Sequence, residues 1–305
     1  MFKKVIRYAS DPYYALGYDM IKKCPRLMSD KFYLSVLWKM VMGYELDWKN
    51  PKTFSEKLQW LKFHDHNPLY TKLVDKYRVK QWVADKIGKQ YIIPTLEVYD
   101  SVDEIDLNKL PDQFVLKCNH DSGSVVICKD KSTFELEVAK KKLGDALKKN
   151  FYWEAREWPY KNVKPCIFAE AYLSQNPNEN DLPDYKWYCF NGEPKYCQVI
   201  QDRTNNETID IYDADWEHQS FVGLNPKASV AITPPPRPYD LGLQIRIARE
   251  LSKGMPFSRI DLYEVNQSIY FGEITFYPWG GFGSFRPNQY NEIIGQMITL
   301  PGESR

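Results

Sequence analysis

The sequence predicts an α+β fold in which helices come first and antiparallel sheets follow. Three observations predict it. Apolar residues recur at roughly helical spacing up to about residue 65. From Tyr91 onward, short runs alternate apolar with polar residues, as half-buried strands do. Two of these runs flank Asn191-Gly192, the residue pair best suited to a tight antiparallel hairpin turn.

In chain order, Lys31–Met42 carries Phe32, Leu34, Leu37, Trp38 and Val41 at helical spacing. Thr53 and Glu56 have capping-box spacing, so a helix starts there and runs through Leu58, Trp60 and Leu61. One further helix is expected over Tyr70–Ile87, ending at Gly88. Strands follow at Leu96–Tyr99, Phe114–Cys118 and Ser124–Cys128, then an amphipathic Lys-rich helix over 132–150 and a strand at Ile167–Leu173. The polar stretch Ser174–Pro183 reads as a connector. Beyond it come the hairpin Tyr185–Phe190 and Lys195–Gln201, a helix near Tyr239–Lys253, a second hairpin over Arg259–Phe276 and a closing helix at Asn288–Leu300.

Composition excludes more than it selects. With 305 residues, 43% hydrophobic and 27% charged, the chain is an ordinary globular sequence long enough for two or three lobes. A net charge of +1 supplies no global field for nucleic acid or an anionic membrane. No apolar run is long enough to span a bilayer or serve as a signal peptide, so a cytoplasmic protein is expected. The six cysteines include no Cys-x-x-Cys pair and only four histidines accompany them, which reads as reduced core thiols rather than a zinc site.

Chemistry concentrates in the second hairpin. Centring it near Gln267 places Asp261 opposite Glu273 and Arg259 opposite Thr275, all on one face. Facing carboxylates repel, which invites a cation between them, and an all-oxygen ligand set suits Mg²⁺. Taken alone, the hairpin reads more readily as Arg259 bridging a carboxylate on an exposed face. A second feature is Lys117 at the end of a strand, followed by Ser122-Gly123-Ser124, which has the form of a phosphate-covering loop but also of an ordinary hairpin loop. Asp75-Lys76, Glu170 and Lys186 carry little weight singly. Asp213-Ala214-Asp215 has the form of a glycosyltransferase metal motif.

Their order, Asp-Lys, strand Lys with a Ser/Gly loop, strand-end Glu, Arg-x-Asp and Glu-x-Thr, resembles the ATP-grasp enzymes. Thr275 stands where that family commonly has Asn. The chain is similar in particular to the TupA-like branch, from about Ser29 onward. The resemblance rests on Asn50–Trp60 (NPKTFSEKLQW), Phe114–His120 (FVLKCNH), Asp184–Gly192 (DYKWYCFNG) and Tyr270–Pro278 (YFGEITFYP).

That resemblance implies a helical region at 1–68, a first ATP-grasp lobe at 69–173 and a second at 174–305, with ATP between the lobes. It also implies a cytoplasmic ATP- and Mg²⁺-dependent ligase that joins a carboxylate to an amine through an acyl phosphate. Lys76 and Lys117 would contact phosphates under a cover of Ser122, Gly123 and Ser124. Glu170, Ala171, Tyr172 and Leu173 would hold the adenosine, and Lys186 would reach phosphate or base. Asp261 and Glu273 would bind one or two Mg²⁺ with help from Thr275, while Arg259 steadies the transferred phosphoryl group. Arg203 and Arg286 would clamp an anionic substrate. The family context suggests a uronic-acid carboxyl in capsule, O-antigen or teichuronopeptide synthesis and an amino acid or amino alcohol as amine. Trp38, Trp48 and Trp60 could then meet the acceptor or a membrane-bound assembly complex. A sugar kinase and a glycosyltransferase are the alternatives.

Overall fold

A computed structural model describes residues 17, 19–21, 23–174, 182–201, 207–225 and 229–302. Helix α1 (Asp30–Met42) is capped by the Ser29 hydroxyl and ends at Gly43 in the left-handed region. Helix α2 (Phe54–His64) begins with the expected capping box: Thr53 accepts from the Glu56 N–H, and the Glu56 carboxylate accepts from the Thr53 N–H.

The single helix expected over Tyr70–Ile87 is two, α3 (Leu69–Val74) and α4 (Val79–Ile87). Asp75 makes the break. Its backbone turns extended, and its carboxylate accepts from the N–H groups of Tyr77 and Arg78, replacing helix bonds with a cap. The helix expected over 132–150 is shorter, α5 (Leu136–Leu147), and is followed by the one-turn α6 (Tyr152–Ala155). The closing helix shrinks to α8 (Tyr290–Gly295).

Two antiparallel sheets carry the site. The smaller contains β1 (Thr95–Tyr99), β2 (Phe114–Cys118), β3 (Val126–Cys128) and β4 (Ile167–Ala171) in the order β1-β4-β2-β3. One face, with Phe114, Leu116, Cys118, Ile167 and Ala169, packs against Leu143 and Ala146 of α5. The other presents Lys117, Phe168 and Glu170, because opposite residues in the ladder share a face.

The larger sheet contains β5 (Asp184–Phe190), β6 (Glu193–Gln201), β7 (Thr208–Asp213), β8 (Phe257–Val265) and β9 (Ser268–Thr275) in the order β7-β6-β5-β8-β9. Sequence reading missed β7, although Thr208-Ile209-Asp210-Ile211 alternates as a strand should. Asn191 and Gly192 both take positive φ in the β5–β6 turn, as a mirror-image turn requires. Trp187, Ile260 and Leu262 face Ala248 and Leu251 of α7 (Leu241–Ser252) in the larger core. Phe54 and Leu58 of α2, Leu73 of α3 and Val83 of α4 share that core. A parallel bridge between Ile92 and Phe271 ties the chain entering the small sheet to β9 of the large one.

Five of the six cysteines are buried free thiols, and Cys24 is an exposed one. Among the described residues, no helix is long and apolar enough to cross a membrane.

Candidate active site

The β8–β9 hairpin has the expected register, with Arg259 opposite Thr275 and Asp261 opposite Glu273. A bulge between Asp261 and Leu262 makes this possible. The Asn266-Gln267 turn alone sets Leu262 against Phe271, and Gly272 is the extra residue that brings Glu273 to Asp261. A Cβ at Gly272 would stand 3.0 Å from the Asp261 carbonyl oxygen and from the Tyr263 ring, so the bulge favours glycine.

On the shared face, Arg259 organises the acids. Its Nε donates to Asp261 Oδ1 and its Nη2 to Oδ2, both at 2.7 Å. The same Nη2 reaches Thr275 Oγ1 at 3.1 Å and Glu273 Oε1 at 3.3 Å. The Thr275 hydroxyl donates to Glu273 Oε1 at 3.1 Å. Lys186, whose backbone pairs with Asp261 across β5 and β8, places its ammonium on Asp261 and on Asp184. Burial pushes the Asp261 carboxyl up against the pull of Arg259 and Lys186. Glu273 is driven well down: Lys76, Lys186 and Arg259 outweigh its burial.

The small sheet supplies a second charged cluster. Glu170 is buried, with Lys117 on Oε1 and Lys80 on Oε2 at 2.9 Å. Burial raises the Glu170 carboxyl, but the two lysines outweigh it and hold it below the usual carboxylate range. Lys80 also donates to Ile93 O and Thr95 Oγ1, both at 3.0 Å, and its burial pulls it down. In the sequence alone, a solvated charged face accounts for Lys80 as well as a binding role does.

Lys76 joins the two clusters. Its ammonium donates to the Asp121 carbonyl and lies 3.4 Å from Glu273 Oε2. Its own N–H is held by the Asn119 carbonyl at 2.9 Å. Asn119, buried at the end of β2, donates to Asp75 Oδ2 and accepts from the Cys166 N–H. The strand that carries Lys117 therefore fixes the turn that carries Lys76.

The remaining expected residues fall less neatly. Ser122 and Gly123 are exposed on the loop, with Gly123 at φ 113°. Ser124 is buried and spends its hydroxyl within the loop, accepting from the Cys118 N–H and donating to Asp121. Ala171, Tyr172 and Leu173 are half-buried at the end of β4, where the Ala171 N–H donates to Pro94 O. Arg286 is exposed and sits with the loop after β7: its backbone pairs with Val222 and its guanidinium donates to Asn225 O. Arg203 lies outside the described residues. Trp38 is fully buried against Tyr44 and Phe282, so it cannot itself meet an acceptor. Trp48 packs on Phe63 and Trp60 on His64.

Asp213 does not present a metal motif. Its Oδ1 accepts from the N–H groups of Asp215 and Glu217 and its Oδ2 from Gln219, which makes it the cap of a turn.

The sequence model of the family described as TupA-like ATPgrasp matches residues 56–299. A comparison with curated protein sequences finds no match. Among solved structures, the chain is similar to an ADP complex of PurK, N5-carboxyaminoimidazole ribonucleotide synthetase, at 12% identity and TM-score 0.42, covering 72% of this chain and 50% of that one. It is similar to D-alanine-D-alanine ligase from Helicobacter pylori at 13% identity and TM-score 0.40, covering 82% and 70%. It is also similar to the ATP-grasp ligase PsnB with minimal precursor, Mg and ADP, at 11% identity and TM-score 0.37, covering 73% of this chain. The chain spans about three-fifths of the PsnB chains it matches, 57%, 60% and 63%. A match that runs from inside the α2 cap, through both charged clusters, to beyond α8 decides the matter: the chain belongs to the TupA-like ATP-grasp family.

Proposed function

We propose that the protein is an ATP-dependent carboxylate–amine ligase, with ATP held between the small sheet (from about residue 69 to 173) and the large one (from about 174). The observation that carries this reading is the convergence of Lys76, Lys186 and Arg259 on the paired carboxylates Asp261 and Glu273. Such an array can neutralise a polyphosphate and hold it in line with an attacking carboxylate, and phosphoryl transfer asks for little else.

Lys117 and Lys80, paired on Glu170, form a second cationic wall on the facing sheet. Exposed Ser122 and Gly123 are free to cover phosphates, whereas Ser124 shapes the loop that presents them. Glu170 acts first by placing two lysines, and the half-buried backbone of Ala171–Leu173 is the stretch offered to the adenine.

Among the described residues, no group of three or more His, Cys, Asp or Glu could hold a metal ion. Mg²⁺ needs only one or two protein carboxylates when substrate phosphates and water complete its oxygen shell. Asp261 and Glu273, with the Thr275 hydroxyl, would hold it, and it would supply charge neutralisation at the transferred phosphoryl group. The substrate carboxylate would attack the γ-phosphate, breaking its bond to the bridging oxygen and releasing ADP to give an acyl phosphate. The amine would then displace phosphate to leave an amide. Neither step needs a protein nucleophile.

For substrates we infer a uronic-acid carboxyl in bacterial surface-polysaccharide synthesis and an amino acid or amino alcohol, with the enzyme cytoplasmic and peripheral to the assembly machinery. The test is a phosphate-release screen with ATP and Mg²⁺, crossing uronates with amines. Turnover that needs both partners and is abolished in Glu273→Ala is expected. Turnover with a sugar alone would establish a kinase instead.

A further inference from the structure

The segment Tyr152–Tyr160 approaches the Arg259 cluster and carries a side chain without a role so far. Glu157 is 6% exposed, and no described residue donates a hydrogen bond to its carboxylate. A carboxylate this far from water with no protein donor is costly and calls for an explanation.

The neighbouring cation does not satisfy it. Lys62 of α2 is 1% exposed and spends its three N–H groups on neutral oxygens: Gln59 Oε1 at 3.0 Å, Ala155 O at 2.9 Å and Gly280 O at 2.7 Å. Lys62 balances the charge of Glu157 and gives it no hydrogen bond. Burial pushes the Glu157 carboxyl up and the Lys62 ammonium down, each against the pull of the other's charge. The other charges acting on Glu157 are Glu154 on α6, Lys76 before α4 and Glu273 on β9. Burial, and with it the Glu157 charge, raises the hydroxyls of Tyr160 and Tyr277.

The position is close to the chemistry. The Gly-rich turn Pro278–Gly281, which leaves β9 just beyond Thr275, passes beside the carboxylate: a Cβ at Gly280 would stand 3.7 Å from Glu157 Oε1. That turn is itself held from behind, since Gln59 and Lys62 take the Gly280 carbonyl and Gln59 the Gly281 carbonyl.

We infer that Glu157 is the seat of the incoming amine: it pairs with the substrate ammonium and takes the proton that nitrogen must lose before it attacks. The inference rests on the ligase reading above. The ammonium R–NH₃⁺ gives one proton to the Glu157 carboxylate and becomes R–NH₂. Its lone pair forms the C–N bond as the C–O bond to phosphate breaks, and the second proton leaves with phosphate as HPO₄²⁻. Glu157 then returns its proton to water.

The experiment compares wild type with Glu157→Gln, using the uronate and amine that release most phosphate together with ATP and Mg²⁺. Two companion readouts bypass the amine seat: oxygen-18 positional exchange within ATP in the presence of the uronate alone, and hydroxamate formation from hydroxylamine, which is uncharged at neutral pH. The expected result is a loss of about 100-fold in kcat/KM for the amine, with exchange and hydroxamate formation falling less than about threefold. Equal loss of all three readouts would show a structural role and overturn the inference, as would an unchanged amine kcat/KM. A wild type that shows neither exchange nor hydroxamate with any uronate would overturn the ligase reading beneath it.

Discussion

Asn119 should be among the most sensitive positions in the small sheet, and the structure sets the size of the effect. Its amide donates to Asp75 Oδ2 at 2.9 Å and to Lys164 O at 3.0 Å, and its carbonyl accepts from the Cys166 N–H at 2.8 Å. Asn119→Ala would remove a charge-assisted hydrogen bond and leave the Cys166 N–H buried without an acceptor. The Lys164 carbonyl would keep Arg78, and Asp75 would keep Arg78 and two backbone N–H groups. One lost charged bond and one orphaned donor together amount to about 4 kcal/mol. Asn119→Asp keeps the shape but sets an oxygen against Asp75, so it should cost at least as much as alanine, with the deficit narrowing in acid as the two carboxyls share a proton. Urea unfolding of both variants, followed by tryptophan fluorescence, measures this. ATP titration should show weakened binding because Asp75, at the turn that carries Lys76, loses its Asn119 side-chain tie, although the Asn119 main-chain carbonyl still accepts from the Lys76 N–H. A loss below about 1 kcal/mol, or an aspartate tolerated better than alanine, would refute the argument.

Three further outcomes are expected. Glu170→Gln should destabilise by about 3 kcal/mol, since it leaves Lys80 and Lys117 without their buried partner. Because the folded state lowers the Glu170 carboxyl, its contribution is present above the ordinary glutamate pKa and fades as pH falls through the folded value. The variant should therefore lose less stability than wild type when urea midpoints are compared from pH 5 downward. Arg259→Lys should lower ATP-dependent turnover by about 100-fold in a steady-state phosphate assay, because a lysine cannot reproduce the fork that reaches Asp261, Glu273 and Thr275 together. Trp279, exposed and held at φ 56°, should accept glycine with a gain of about 1 kcal/mol in urea unfolding, because glycine relieves the left-handed backbone; a net loss of stability would count against that strain.

Local chemistry decided which parts could be read in advance. The capping box at Thr53 and Glu56 is a contract between residues three apart, so its spacing alone announces α2. Strand period and turn position bring Asp261 and Glu273 to the same end of the hairpin, but a regular ladder from that turn would set Asp261 against Gly272. The pairing itself is made by the bulge, where Gly272 comes close to Asp261. The break at Asp75 escaped notice because Asp75-Lys76 continues a helical pattern on paper. Its extended backbone is secured from a distance, by Asn119 bonding the Asp75 carboxylate and the Lys76 N–H.

By itself, then, the sequence determined the alternation of helices and antiparallel strands, the identity of the charged residues and the hairpin that carries them, while the bulge at Gly272 put Glu273 on the face of Asp261. Only the tertiary structure decided what each charge does. It turned Glu170 into the partner of two lysines, closed the Ser124 hydroxyl into its own loop, reduced Asp213 to a turn cap and left Glu157 buried with no donor among the described residues. The physical reason is that a carboxylate's state depends on its burial and on which donors surround it. Those donors come from segments that lie far apart in the chain and meet only when the two sheets are assembled.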